Sequence, residues 1–130
     1  MNQRNTLLGG AAMGGTAVMI GAFGAHAFKA SLMAAGRLET YELAVRYQFY
    51  HAFALLIVGM VMNLNPTRLM QYAAYAFLLG ILFFSGSLYL LCLTGYRMLG
   101  AITPVGGVLF TVGWVLLFIG VYKATKKSHT

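Results

Sequence analysis

Charged residues are scarce in this chain, and acidic residues are the scarcest of them. Charged side chains make up 8% of the 130 residues, and the two acids are Glu39 and Glu42. A typical soluble domain is about 25% charged, so this chain has too little polar surface to fold as a soluble monomer. Cysteine is equally rare. The single Cys92 excludes an internal disulfide framework, and its leucine-rich surroundings indicate a buried, inert thiol.

The sequence contains long apolar runs with few charged residues in them. The sequence is 60% hydrophobic, and about 20 consecutive apolar residues suffice to cross a bilayer as a helix. We expect four such helices, at about residues 6–28, 43–62, 69–93 and 100–122. Short connections make consecutive helices antiparallel neighbours. The predicted fold is an all-α membrane protein, a single domain over residues 1–130 that forms an up-down-up-down bundle of four transmembrane helices.

The basic residues are the second notable feature of the composition, because they give a net charge of +7. A basic balance is often typical of nucleic-acid binding, but here the cations lie between the apolar runs, where they fix membrane topology. The side with both termini carries Arg4, Arg68, Lys123, Lys126 and Lys127, and the other side carries Lys29, Arg37, Arg46 and Arg97. We therefore predict the lipid bilayer, and no nucleic acid, as a partner, with both termini in the cytoplasm.

The connections between the helices carry local signals. Residues 29–35 are expected to form a short piece in the membrane interface. Thr40 is a candidate N-cap for the second helix, because a threonine side chain accepts hydrogen bonds from the first backbone amides. Pro66 follows the second helix and stops it, and Gly95 marks the end of the third helix.

Small residues and one proline predict where helices approach each other closely. Gly10 and Gly14 form a small-xxx-small pair in the first helix, the pattern that lets helix backbones pack at short distance. Gly106 and Gly107 leave a bare face near the start of the fourth helix for a neighbour to occupy. Pro104 lies close enough to that start to be tolerated in the first turn.

Polar residues within the predicted helices fall in the half of the bundle away from the termini. At a rise of about 1.5 Å per residue, residues from all four helices converge there: His26, Gln48, His51, Ser85, Ser87, Tyr89 and Thr103. We call these seven residues the polar cluster. Polar groups in hydrocarbon are costly unless they are satisfied. The polar cluster therefore predicts either an outward-facing cleft that holds a ligand or a network of interhelical hydrogen bonds that satisfies itself.

The same residues give little support to a catalytic or metal-binding hypothesis. His26 and His51 differ in estimated depth by roughly 9 Å, which suits a single haem iron poorly. Two histidines without a third ligand make a poor metal site. A nucleophilic pair of Ser85 or Ser87 with His51 lacks an acid at that depth to orient the imidazole. We therefore predict no enzyme activity, no cofactor and no metal.

Four motifs make the sequence resemble a known family. GAFGAHAF (residues 21–28), YQFYHAFALL (47–56), FSGSLYLLCLTG (84–95) and ITPVGG (102–107), followed by the Gly113-Trp114 pair, are similar to the family called domain of unknown function 423. That family comprises small bacterial inner-membrane proteins of the YgdD type and the eukaryotic transmembrane protein 256. The resemblance implies a four-helix inner-membrane protein that keeps its first helix and has no established activity. Besides the polar cluster, the motifs carry over the structural positions Gly24, Gly86, Pro104, Gly106, Gly107 and Trp114.

Two functional hypotheses remain open at this stage. In the first, the protein is not an enzyme and binds a lipid or other small amphiphile in the outward cleft, with Gln48 and His51 on the head group, or serves as an accessory to a larger membrane assembly. In the second, it is a small transporter or channel. Four short helices rarely enclose a pathway by themselves, so this hypothesis requires a homo-oligomer.

Overall fold

The structure is a computed structural model that describes residues 1–128. His129, which the sequence places in the solvated tail, lies outside the described residues. Within them, six α-helices follow one another: α1 (Gln3–Ala25), α2 (Lys29–Ala34), α3 (Leu38–Leu64), α4 (Arg68–Ile81), α5 (Ser87–Thr94) and α6 (Thr103–Ser128). A π-helical turn (Leu82–Gly86) joins α4 to α5, and a 3₁₀ turn (Arg97–Ala101) precedes α6.

Four stretches of this helical structure are long and apolar enough to cross a membrane: Gln3–Ala25, Leu38–Leu64, Arg68–Thr94 and Arg97–Lys127. The described residues contain no strand. The predicted all-α membrane fold is therefore confirmed. α2 also lies where the sequence predicts a short interfacial piece.

The second crossing helix differs from its predicted bounds. α3 begins at Leu38, two residues before the predicted cap Thr40 and five residues before the apolar run at 43–62. Its N-cap Arg37 contributes no side-chain hydrogen bond. Thr40 lies inside the helix, so its predicted capping role is wrong. α3 has 27 residues, and His51 lies at its middle. The first turn of α3 contains charged and polar residues, so a search for apolar runs does not detect it.

α1 and α4 each begin at a short polar residue that caps the helix, and α5 ends at a glycine. The Asn2 side chain accepts a 2.8 Å hydrogen bond from the Asn5 amide at the start of α1. At the start of α4 the Thr67 hydroxyl accepts from the Met70 amide at 3.4 Å. Gly95 ends α5 with a φ of 73°, a left-handed conformation that glycine adopts without steric cost. This confirms the predicted end of the third crossing helix.

α4 and α5 pack against α6 along a seam that alternates large and small residues. The pairs across this α4–α6 seam are Met70/Gly120, Phe77/Gly113, Gly80/Phe110, Phe84/Gly106 and Ser87/Thr103. In every pair the two residue numbers add up to 190, the register of two antiparallel helices. Positions recur along each helix at intervals of three, four or seven residues, the spacing at which side chains of one helix fill holes in another.

α1 packs against α3 in a second antiparallel seam, with the small residues mostly on α1. The pairs across this α1–α3 seam include Leu7/Gly59, Gly10/Leu56, Gly14/Ala52, Gly21/Val45 and Gly24/Tyr41. The predicted pair of small residues, Gly10 and Gly14, therefore serves contact within the chain. α3 lies at the centre of the molecule, because it contacts α4, α5 and α6 as well as α1.

The π-helical turn at Leu82–Gly86 is a feature that the sequence did not reveal. It widens the helix locally and turns the side chains after it by part of a turn relative to a regular helix. Within it, the Ser85 hydroxyl donates a 2.7 Å hydrogen bond to the Ala44 carbonyl of α3. On another side, a methyl group added to Gly106 would overlap the Phe84 backbone, so α6 and the turn are in close contact. The turn thus meets both α3 and α6.

The core in the half of the bundle nearest the termini is apolar. Its buried residues come from three crossing helices: Ala54, Leu55, Val58, Met62, Met70, Ala73, Ala74, Phe77, Ile81, Phe110 and Leu117. Among the buried polar side chains, Gln48, Ser85 and Ser87 lie in the opposite half, as the sequence predicts. His51 lies at the middle of α3, and Thr6 is buried in the half nearest the termini, beside Met62.

Candidate functional site

Gln48 holds three helices together at the centre of the polar half. Its Nε2 donates to the Met13 carbonyl and to the Thr16 hydroxyl of α1, both at 2.9 Å. Its Oε1 accepts a 2.7 Å hydrogen bond from the Tyr89 hydroxyl of α5. Gln48 is buried, and these bonds use both amide protons and the carbonyl oxygen. The amide is therefore satisfied by the protein itself.

His51 lies on the side of α3 that faces α4 and α6. Its Nδ1 is 2.6 Å from the Tyr47 carbonyl, and its Nε2 accepts a 3.2 Å hydrogen bond from the Trp114 indole. These partners fix the neutral tautomer with the proton on Nδ1. The imidazole stacks on the Phe110 ring, with 3.4 Å between centroids and 4° between planes. Phe77 also contacts this group of rings.

The three hydroxyl-bearing residues near the π-helical turn also have partners within the protein. Ser85 is bonded to the Ala44 carbonyl, as described above. Ser87 and Thr103 share a 2.8 Å hydrogen bond across the α4–α6 seam, and the Ser87 hydroxyl also lies 2.9 Å from the Phe84 carbonyl. These contacts join helices in the way that serine and threonine commonly do in membranes.

Among the described residues, no buried side-chain nitrogen or oxygen lacks a hydrogen-bond partner. Six members of the polar cluster, all but His26, thus have hydrogen-bond partners within the protein. These contacts are of the kind that the second predicted arrangement, a network of interhelical hydrogen bonds, requires. The described part of the chain also holds no group of three or more His, Cys, Asp or Glu residues arranged for a metal ion.

His26 is the member of the polar cluster that the structure does not bring to the others. It caps the C-terminal end of α1 through its backbone amide, and its side chain is exposed. α1 ends before His26 and not at Phe28 as predicted, so this residue lies in the turn that leads to α2. The depth predicted for His26 rests on a first helix that continues to Phe28.

The structural positions also separate into two groups. A methyl group at Gly24 would overlap the Tyr41 ring, and one at Gly106 would overlap Phe84. At Gly86 and Gly107 an added methyl group would meet nothing within 4 Å. The bare face expected near the start of α6 is therefore occupied at Gly106 only. Pro104 is exposed beside it, as the second residue of α6.

A pocket of about 450 Å³ lies between the end of α1, α2, the start of α3 and the end of α5. We call it the α1–α5 pocket. It is lined by Ile20, Phe23, Phe28, Ser31, Leu32, Tyr41, Tyr89, Cys92 and Leu93. Four of these residues, Phe23, Phe28, Ser31 and Leu93, are exposed, so the pocket opens to the surface of the bundle. It exists because α1 packs along α3 while α5 lies on another side of α3, which leaves a gap that α2 borders.

Two tyrosines form the polar part of the pocket wall. The Tyr41 hydroxyl donates a 2.5 Å hydrogen bond to the Ile20 carbonyl, and the Tyr89 hydroxyl donates to Gln48. Their rings lie 5.7 Å apart, and Gly24 gives the Tyr41 ring room beside α1. Of the polar cluster, Tyr89 lines this pocket. Sequence reasoning missed the pocket because it followed polar residues, and the wall is mostly aromatic and aliphatic.

The fold and this site define an integral membrane protein built from four crossing helices, with a satisfied polar core and an apolar pocket near the face opposite the termini. The family described as "Protein of unknown function (DUF423)" matches residues 20–107. The chain belongs to this family, which confirms the resemblance seen in the motifs.

Curated relatives are membrane proteins of staphylococci. A UPF0382 membrane protein of Staphylococcus saprophyticus is 47% identical over 107 residues, which are 82% of this chain and 88% of that protein. A UPF0382 membrane protein of Staphylococcus aureus is 45% identical over 107 residues, 82% of this chain and 86% of that protein. One of Staphylococcus haemolyticus is 45% identical over 103 residues, 79% and 83% of the two chains. No solved structure matches this chain.

Proposed function

We propose that this protein is a non-enzymatic inner-membrane protein that holds the apolar part of one lipid or small amphiphile in the α1–α5 pocket. The observation that carries the proposal is the pocket itself: about 450 Å³, open to the bundle surface and lined mostly by apolar residues. Pockets of about 300–1,000 Å³ are typical of sites for single small molecules. In a membrane, the molecules that reach such an opening in greatest number are those of the bilayer.

The chemistry of the wall favours a hydrocarbon chain over a polar head group as the buried part of the ligand. The hydroxyls of Tyr41 and Tyr89 already donate to protein acceptors, so they have no proton left to offer. Ser31 is the other hydroxyl in the wall, and it is exposed on α2. The aromatic and aliphatic side chains that remain contribute contact area without hydrogen bonds.

The same structure lends less support to a small transporter or channel. Transport of a polar solute requires polar groups or water along a path, and intramembrane ionisable residues usually mark such paths. Here the core of the half near the termini is apolar and packed. The polar side chains in the other half are bonded to each other.

The proposed orientation follows from the distribution of cations. Five lysines and arginines on the side of the termini against four on the other side favour cytoplasmic termini. The α1–α5 pocket would then open in the outer half of the inner membrane.

Native mass spectrometry of the protein released from native-membrane nanodiscs tests the proposal. We expect a reproducible extra mass of lipid size on the wild-type protein and its loss in Ile20→Trp, because the larger side chain would fill the pocket. Met19→Trp is the matched control, since Met19 is the preceding residue, is 60% exposed and does not line the pocket. A bare wild-type protein, or an equal extra mass on both variants, would refute the proposal. A copurified protein partner on that bare chain would favour the accessory role.

A further inference from the structure

We infer that the occupant of the α1–α5 pocket is an anionic phospholipid of the bilayer, with one acyl chain in the pocket and its phosphate on the guanidinium of Arg37. This inference rests on the proposed function and specifies the class of its ligand.

Arg37 is built into the rim of the pocket by its backbone. Its amide donates a 2.8 Å hydrogen bond to the carbonyl of Leu32, and its carbonyl accepts a weak 3.8 Å contact from the thiol of Cys92. Leu32 and Cys92 both line the pocket, on α2 and α5 respectively. The Arg37 backbone thus connects α2 and α5 beside the pocket.

The side chain of Arg37 lies across the end of α5. A methyl group added to Gly95 would come 2.9 Å from one of its guanidinium nitrogens. Gly95 is two residues beyond Leu93, a lining residue of the pocket. The positive charge is therefore placed beside the opening, at the boundary between the last apolar turn of α5 and the polar connection that follows.

This guanidinium has no hydrogen-bond or ion-pair partner in residues 1–128. Glu39 and Glu42, the two acids of the chain, both lie on α3 within about one and a half turns of Arg37, yet neither pairs with it. A guanidinium has five donors in a planar fork whose geometry matches a phosphate. An anionic lipid would supply the missing acceptor.

The surrounding charge favours the same ligand. Lys29 directly follows the lining residue Phe28, and Arg97 lies two residues beyond Gly95. Both are exposed and lie at the same end of the bundle as Arg37, away from the termini. An uncharged molecule would gain nothing from these cations, whereas a phosphate with one negative charge complements them. The apolar pocket and the cationic rim together match the two parts of an anionic lipid.

Titration of the purified full-length protein with phosphatidylglycerol and phosphatidylcholine of identical acyl chains tests the inference, with bound lipid counted by native mass spectrometry. We expect tighter binding of phosphatidylglycerol to the wild type. Arg37→Gln should weaken that binding by about fivefold, as expected for one cation beside an anionic lipid. It should weaken phosphatidylcholine binding less, because the choline ammonium of that lipid offsets its phosphate. Neither Arg37 nor Arg46 lines the α1–α5 pocket. Arg46→Gln is the matched control, because it removes the same charge at a residue of α3, whereas the Arg37 backbone is bonded to the lining residues Leu32 and Cys92.

The variants separate failure of the inference from failure of the proposed function. If Ile20→Trp abolishes binding of both lipids while Arg37→Gln and Arg46→Gln bind phosphatidylglycerol equally, the pocket holds a chain but Arg37 does not select the head group. If Ile20→Trp changes neither lipid, the pocket is not the site and both proposals fail. Arg37→Lys, which keeps the charge, should retain part of the preference, and an unchanged melting temperature shows that the variants are folded.

Discussion

The indole Nε1 of Trp114 donates a hydrogen bond to Nε2 of His51, across 3.2 Å between α6 and α3. Because Nδ1 of the same imidazole lies 2.6 Å from the Tyr47 carbonyl, both ring nitrogens are occupied by the protein. His51 therefore acts as a connector within the bundle. The imidazole stacks on Phe110 of α6 and contacts Phe77 of α4, so this side chain of α3 packs against both helices of the α4–α6 seam.

His51→Ala is expected to lower stability and to leave lipid in the α1–α5 pocket. The substitution removes a stacked ring from the core, which typically costs about 3 kcal/mol in unfolding free energy, but His51 does not line the pocket. Unfolding in mixed micelles and native mass spectrometry of the same sample measure the two effects. Loss of the lipid from a fully folded His51→Ala variant would place the ligand in the polar cluster, as the cleft hypothesis predicts.

Trp114→Phe should cost about 1 kcal/mol, because it leaves Nε2 of His51 without its donor while keeping most of the aromatic surface. In the double variant with His51→Ala, the same substitution should cost less, since its partner is already absent. The difference is the coupling energy of the pair. Equal costs of Trp114→Phe in both backgrounds would mean that the hydrogen bond contributes nothing.

Two adjacent glycines of α6 provide a sharp test of the packing. An added methyl group would overlap Phe84 at Gly106 and meet nothing within 4 Å at Gly107. We expect Gly106→Ala to destabilise the protein by about 1–3 kcal/mol, the usual cost of overpacking. Gly107→Ala should be neutral or slightly stabilising, because alanine favours the helix more than glycine does. The same unfolding assay applies to both variants, and equal effects would contradict the described register of the α4–α6 seam.

The sequence predicts the four crossing helices well because hydrophobic length is a strong signal that each helix carries by itself. The family motifs added the positions that matter in packing, such as Gly24 and Gly106. The apolar run at 43–62 does not include the first turn of α3, because that turn contains polar and charged residues. Helix length counted from an apolar run therefore gives the existence of a helix more reliably than its ends.

The packing of the helices against one another could not be predicted from the sequence. The same polar residues were compatible with a cleft and with a satisfied network, because the choice depends on which side of α3 each one faces. Gln48 faces α1 and α5, whereas His51, three residues later, faces α4 and α6. The π-helical turn adds to this difficulty, since it changes the angular positions of residues after Ser85. The α1–α5 pocket arises from the separation of two helices, which no single stretch of sequence encodes.

The hydrogen bond between Tyr89 and Gln48 should be measurable as a coupling. Tyr89→Phe removes the donor to Oε1 and retains the ring in the pocket wall, while Gln48→Leu removes the links to both α1 and α5. Interhelical hydrogen bonds in membrane proteins average about 0.6 kcal/mol and reach about 1.7 kcal/mol, so we expect a coupling in this range from the double-variant cycle. A value of zero would show that these two side chains are not bonded in the membrane.

The proposed orientation can be tested by labelling single cysteines from one side of the membrane. In a Cys92→Ser background, Ala35→Cys lies on the face opposite the termini and Lys126→Cys on the terminal face, and both sites are exposed. A membrane-impermeant maleimide should label Ala35→Cys in intact spheroplasts and Lys126→Cys only after lysis. Labelling in the reverse pattern would place the termini outside.

A further pair of substitutions examines the cause of this orientation. Lys123→Gln with Lys126→Gln reduces the five cations of the terminal side to three, against the four of the opposite side. Because lysine and arginine near helix ends set orientation, we expect Ala35→Cys in this background to become partly protected, with two populations in the membrane. Full labelling there would mean that the cations of the terminal side do not determine the orientation and that the packing of the helices or the length of the connections does.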